Sequence, residues 1–196
     1  MSNQFTELLI KACEKDNPEN VRILIEKGAD MNIVDASGST PLIIAGMFGF
    51  TDIARLLVDS GAQVNVKNKL GNTPLLYACV RGHPGVAGLI AARGADVNAQ
   101  DNNSDTPLLL ASRNGHIDIV KLLVEYKSDM NIQDKSGNTP LMNACMRMHT
   151  DIALFLIERG ADLMITNKDN KTALDIATKM RLENVINSMK RRDQRR

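Results

Sequence analysis

The sequence predicts an all-α chain organised as an array of repeated helix pairs. Three observations predict it. Thr-Pro-Leu recurs at Thr40, Thr73, Thr106 and Thr139, and Thr172-Ala173-Leu174 closes the series, with 33 residues between successive copies. Other slots keep the same register: Ala12, Ala45, Ala78, Ala111, Ala144 and Ala177; Gly28, Gly61, Gly94 and Gly160; Asn32, Asn65, Asn98 and Asn131. A fixed period of this length marks a chain of supersecondary units that bury their apolar faces against one another. Aromatic residues make up only 3% and Trp is absent. Such a core must be built from Leu, Ile, Val, Ala and Met, which suits thin layers of short helices.

The elements follow in order. The first unit carries Glu7-Leu8-Leu9 where later units carry Thr-Pro-Leu, and Asn17-Pro18-Glu19 starts its second helix with a cap, a proline and an early acid. The fourth unit shows the general pattern. Thr106 is an N-cap whose hydroxyl accepts from a free backbone N–H. Pro107 occupies the first helical position, where its missing N–H costs nothing. Leu108 to Ala111 form the inner helix, and Asn114-Gly115 ends it with a residue suited to the left-handed conformation. Ile117, Ile119, Val120, Leu122 and Leu123 are the apolar stripe of a second, outer helix. Ser128 to Gly137 form the turn into the next unit.

Some positions weaken this pattern. Pro84, Gly85 and Gly88 burden the third unit's outer helix, since Gly costs about 1 kcal/mol in a helix interior. Lys127 and Met148 stand where helix-ending Gly is expected, at roughly 1 kcal/mol each for a positive φ. Local order is therefore expected to be weakest around 82–92 and 147–150. The last unit ends in Glu183, Asn184, Asn187, Ser188 and Lys190. Polar faces at both ends read as caps of a complete array.

The Thr-Pro-Leu-x-x-Ala runs, the pairs Gly82-His83 and Gly115-His116, and Gly-Ala-Asp-x-Asn at 28–32 and 94–98 resemble the ankyrin repeat family, from about Phe5 to Met189. The resemblance implies an ankyrin-repeat solenoid of six stacked helix-turn-helix units with hairpin-like loops. The units fall at about 1–34, 35–67, 68–100, 101–133, 134–166 and 167–189. Together they form one domain, 1–189, followed by a basic tail, 190–196. The chain departs from the family at the position after Thr-Pro-Leu, where His is usual and Ile43, Leu76, Leu109, Met142 and Asp175 stand here. It departs again at Met164, where Asn is usual.

Catalysis finds no foothold. No nucleophile elbow, metalloprotease helix, phosphate loop or dinucleotide fingerprint occurs. Cys13, Cys79 and Cys145 share one inner-helix slot two repeats apart, which places their sulfurs too far apart for a disulfide and makes them small buried hydrophobes. His83, His116 and His149 form a ladder whose members are too widely spaced to share a zinc ion. They are expected to make hydrogen bonds at the start of each outer helix. Asn102-Asn103-Ser104 and Asn170-Lys171-Thr172 match a glycosylation pattern, but the N-terminus has no secretory pattern. The family resemblance makes Asn32, Asn65, Asn98 and Asn131 candidates for hydroxylation, and turn hydrogen bonding is the simpler role. No metal, cofactor or small-molecule substrate is expected. Three cysteines fit a reducing compartment, and the expected location is the cytoplasm, with the nucleus as the alternative. No stretch approaches the length needed to span a membrane.

Net charge is +1, so the whole-molecule balance selects no partner. In the family, partners contact the hairpin tips and the exposed side of the inner helices. Across those slots Lys and Arg outnumber acids nine to two, so charge is segregated by face and an anionic partner is favoured. The residues expected to bind it are Met47, Phe48, Lys67, Lys69, Leu70, Val80, Arg81, Arg113, Asn114, Lys135, Met146 and Arg147. Arg81, Arg113 and Arg147 suit planar carboxylate recognition. Asp35, Asp101 and Asp134 flank the turns and are expected to dilute the field. The function expected is a non-enzymatic protein-interaction module, an adaptor, inhibitor or assembly factor, acting as a monomer on an acidic segment with apolar anchors held on a concave face. The alternatives are a nucleic-acid-associated protein using the basic face and tail, or a microbial effector acting on host proteins.

Overall fold

The computed structural model of the chain describes residues 2–194. Those residues hold twelve α-helices, arranged as six pairs, and no strand. They divide into two compact units, residues 1–102 and 103–196.

The first unit contains α1 (Ser2–Glu14), α2 (Pro18–Glu26), α3 (Pro41–Phe48), α4 (Thr51–Asp59), α5 (Pro74–Arg81) and α6 (Pro84–Ala92). Inner helix packs on inner helix, α1 on α3 on α5, and outer on outer, α2 on α4 on α6. Local sequence sets where each begins. The Asn17 side chain accepts from Asn20 N–H at 3.0 Å to open α2. Thr40 and Thr73 accept from Ile43 and Leu76 N–H, both at 3.2 Å, to open α3 and α5. The core between the layers is aliphatic: Leu9, Val21, Leu42, Ile43, Ile53, Leu57, Leu75, Leu76 and Ile90 are wholly buried.

The second unit repeats the arrangement with α7 (Pro107–Asn114), α8 (Ile117–Glu125), α9 (Pro140–Met146), α10 (Thr150–Glu158), α11 (Ala173–Lys179) and α12 (Glu183–Asp193). Here α7, α9 and α11 stack in one layer, and α8, α10 and α12 in the other. Thr106 and Thr139 cap as expected. Thr172 goes further, because Asp175 accepts from its backbone N–H while Thr172 Oγ1 accepts from Asp175 N–H. This reciprocal box explains why an acid stands where the other units bury Ile, Leu or Met.

Several expectations need adjustment. α6 runs a full nine residues despite Pro84 and Gly85, because the proline sits at its first position, where the missing N–H costs nothing. Lys127 and Met148 do take positive φ, 66° and 59°. The latter shortens α9 by a residue relative to α7, yet α10 keeps nine residues. Lys190, Arg191 and Arg192 belong to α12 instead of forming a tail. Arg192 donates to the carbonyls of Ile157 and Ala161 at 2.9 and 2.7 Å, satisfying acceptors at the end of α10. Arg195 and Arg196 lie outside the described residues. The outer face of the first pair is not wholly polar either, since Leu8 and Ile23 are exposed there.

The histidines do not cap their helices. His83 and His149 sit at the N-cap without a side-chain cap bond, and each instead presses its ring on the glycine that ends the preceding inner helix. A Cβ on Gly49 would lie 2.5 Å from His83 Nδ1, and one on Gly115 would lie 2.6 Å from His149 Cε1. His149 Nε2 also lies 3.3 Å from the Arg113 carbonyl oxygen. Both rings follow a residue of positive φ, Gly82 before His83 and Met148 before His149, and each lies against the glycine of the preceding repeat, Gly49 or Gly115.

Candidate protein-binding surface

The turns between repeats are built by one recurring side chain. Asp35 Oδ1 accepts from Ser37 and Ser39 N–H at 2.7 and 2.8 Å. Asn68, Asp134 and Asn167 accept from the residues two and four ahead in the same way, at 2.9–3.0 Å. Asp and Asn are suited to this because their short side chains bond their own backbone two residues on. Burial works to raise the Asp35 carboxyl, but the Ser37 hydroxyl and three backbone N–H groups outweigh it and hold the group below the usual carboxylate range. Asp35 and Asp134, two of the acids expected to dilute a basic field, are therefore also turn-forming groups. The signal was present in the sequence as an Asp or Asn recurring at 35, 68, 101, 134 and 167 in the repeat register.

The repeated Asn performs a second structural task. Asn32, Asn65 and Asn131 Oδ1 each accept from the N–H of Gln63, Asp96 and Asp162 in the following repeat, all at 2.9 Å.

In the first unit, the residues expected to bind a partner fall into two rows. At the turn tips Lys67, Lys69 and Leu70 are exposed, Leu70 to 61%. Lys67 and Lys69 donate to the carbonyls of Gln100 and Ala36 at 2.8 and 2.7 Å, which steadies them without neutralising their charge. At the inner-helix ends Phe48 is 52% exposed and stacks on Phe50 with ring centroids 5.5 Å apart. Arg81 is exposed, while Met47 and Val80 are half-buried.

In the second unit Lys135, Arg147 and Asn114 are exposed and Met146 is half-buried. Asn114 donates to the Leu110 carbonyl of its own helix at 2.8 Å. Arg113 stands apart from the others. Its guanidinium grips Asp105 through both terminal nitrogens, at 2.9 and 2.6 Å, reaches Asp134 at 3.1 Å, and donates from Nε to Asn143 Oδ1 at 3.2 Å. Asn143 donates in turn to Asp134 at 3.0 Å. Hydrogen bonding to Asp105 raises the Arg113 pKa against the opposing effect of burial. Asp134 is held below the carboxylate range in spite of its own burial, by Asn143, the N–H groups of Asn138 and Ser136, and the Arg113 charge. Arg113 is thus committed within the chain and leaves the set available to a partner.

The cysteines are all buried and free. Burial pushes the thiols of Cys13 and Cys145 up to about 12 and raises Cys79 as well, so they stay protonated and unreactive at neutral pH. No group of three or more His, Cys, Asp or Glu side chains converges among the described residues. No helix among them is long and apolar enough to cross a membrane.

The family model described as Ankyrin repeats (3 copies) matches residues 9–101, 62–134, 88–167 and 108–191. The chain belongs to the ankyrin repeat family. No curated protein matches it. Ankyrin repeats are generally protein–protein interaction modules, and in this ankyrin repeat protein Thr caps, αL glycines, Asx turns and the Asn ladder together account for the recurring polar and glycine slots. The residues left unexplained by repeat architecture are the exposed apolar and cationic side chains of the turn tips and inner-helix ends.

Proposed function

We propose that this chain is a non-enzymatic interaction module that captures an acidic segment carrying apolar anchors on the turn-tip and inner-helix face of its repeats. One observation carries the reading. Phe48 and Leu70 are 52% and 61% exposed, although the repeat core has no use for either, and they share that face with Lys67, Lys69 and Arg81. Among the described residues Arg81 and Arg147 form no salt bridge, so their charge is available. Aromatic and arginine side chains are the usual energetic anchors of protein interfaces, and the lysines raise the encounter rate with an acidic partner. The residues proposed to bind are Met47, Phe48, Lys67, Lys69, Leu70, Val80 and Arg81 in the first unit, and, taken by itself, Asn114, Lys135, Met146 and Arg147 in the second.

The test is affinity capture of partners from the native cell with the Arg81→Glu/Arg147→Glu variant as control. The variant is expected to lose the partner while its circular dichroism stays that of the parent. Undiminished capture by the variant rules the surface out.

A further inference from the structure

A second apolar surface lies on the opposite side of α1 and α2 from α3 and α4. It is a groove of about 380 Å³ between the two helices, with Phe5, Leu8 and Ile23 among its lining residues and Lys11, Lys15 and Lys27 in its walls. Leu8 is 42% exposed and Ile23 37%. Lys27 Nζ lies 5.6 Å from the centre of the Phe5 ring, so the cation borders the apolar floor directly. Among the described residues no acid lines the groove, although α1 and α2 carry Glu7, Glu14, Glu19 and Glu26 elsewhere on their surfaces.

The repeat register says what shape this surface accepts. The same face of the next pair, α3 and α4, receives α1 and α2. There Ile44 is 3% exposed. Its counterpart one repeat earlier is Lys11, which is exposed. The face is therefore helix-receiving by construction, with part of its apolar content exchanged for positive charge. A face meant only for water would have lost Leu8 and Ile23 too. A face meant for another copy of an uncharged repeat would have kept an apolar residue at Lys11.

We propose that this groove docks an acidic amphipathic helix of a partner protein, its apolar stripe on Leu8 and Ile23 and its acids against the three lysines. Helix-in-groove recognition of this kind reads apolar anchors at i, i+3, i+4 and i+7. The flanking charges supply orientation and salt dependence.

The probe is a synthetic helical peptide with Leu at those spacings and Glu on the flanks, compared by fluorescence anisotropy with the same peptide carrying Lys for Glu. The acidic peptide is expected to bind at least about tenfold more tightly. Its amide shift perturbations should fall on α1 and α2. Leu8→Ser/Ile23→Ser should weaken it about tenfold, and Lys11→Gln/Lys15→Gln/Lys27→Gln should remove most of its salt dependence. Both variants alter exposed side chains, and thermal unfolding checks that they fold; the single Ile23→Ser variant serves if the double does not. The groove variants are also measured in the Arg81→Glu/Arg147→Glu background, where the surface proposed above is disabled; the same tenfold loss there separates this groove from that surface. Equal binding of the two peptides, or binding indifferent to the groove variants, overturns the proposal. So does concentration-dependent self-association that Leu8→Ser/Ile23→Ser abolishes, because the occupant is then a second copy of the chain.

Discussion

Gly46 sits inside α3, and its replacement by Ala sets two effects of opposite sign against each other. Helix propensity favours Ala over Gly by about 1 kcal/mol. Packing opposes it. A Cβ on Gly46 would lie 2.5 Å from the Pro74 carbonyl oxygen, against the 3.4 Å at which ordinary contact begins, a deficit of about 0.9 Å. The obstructing atom belongs to the backbone of the first turn of α5, which cannot rotate away as a side chain could. α3 and α5 must therefore separate, and their buried contacts through Leu42, Ile43, Leu75 and Leu76 loosen together. Overpacking costs about 1–3 kcal/mol, and a backbone obstruction this close belongs at the upper end. The net expectation for Gly46→Ala is a loss of about 2 kcal/mol, read from the urea midpoint by circular dichroism with an unchanged slope. Gly85→Ala is the control, since its Cβ would meet only the Thr51 side chain, at 3.1 Å; its stability should hold or rise by up to about 1 kcal/mol. If Gly46→Ala is as stable as the parent or more so, propensity has won and the close approach of α3 to α5 is not what the glycine is for.

Three further outcomes follow from the packing and the turns. Arg113→Ala should cost about 2–4 kcal/mol in urea unfolding, because it strands the 9%-exposed Asp105 and Asp134 side chains without their cation; a change below about 0.5 kcal/mol would show that the cluster is slack. Met148→Gly and Lys127→Gly should each raise stability by about 1 kcal/mol, since both residues hold positive φ, and unchanged thermal midpoints would contradict that. Asp35, Asp134 and Asp175 are held below the usual carboxylate range when folded, so their contribution is present above the unfolded value near about 4 and is lost as pH falls through the folded values. The urea midpoint should therefore stay level from neutral pH to about 5 and fall below about 4. Asp35→Asn should lessen that fall while costing under about 1 kcal/mol at pH 7, because Asn68 and Asn167 perform the same turn chemistry.

The legible parts of this molecule are those decided within a few residues of chain. Thr106 followed by Pro107 makes a helix start whatever surrounds it, and Gly115 makes an end. Repetition then amplified each local signal until the fold class followed. Arg113 was not legible in this way. It stands one residue before the slot shared by Arg81, Asn114 and Arg147, in the slot that Met47, Val80 and Met146 fill in other repeats, but the register alone does not say what a cation there will meet. What decides its fate is Asp105, just before the cap of its own helix, and Asp134 in the next repeat, whose Oδ2 accepts from both Asn143 and the guanidinium. Ion pairs are decided by rotamers and by competing donors in three dimensions, which periodicity does not report. The turn-forming Asp and Asn lie between these cases. Their recurrence was readable, and so was their charge, which Asp35 and Asp134 keep with pKa values below the usual range; the two backbone N–H groups that each accepts were not.

Those turns carry an implication for how such a surface changes over time. At the tips of Asp35, Asn68, Asp134 and Asn167 one carboxylate or amide holds both ends of a short loop, so the loop keeps its path whatever side chains it displays between. Ala36, Lys69 and Leu70, Lys135 and Ser136, and Lys168 and Asp169 are therefore exchangeable letters on a fixed frame. Mutation can rewrite what the tips recognise in single steps while the scaffold that presents them goes untaxed.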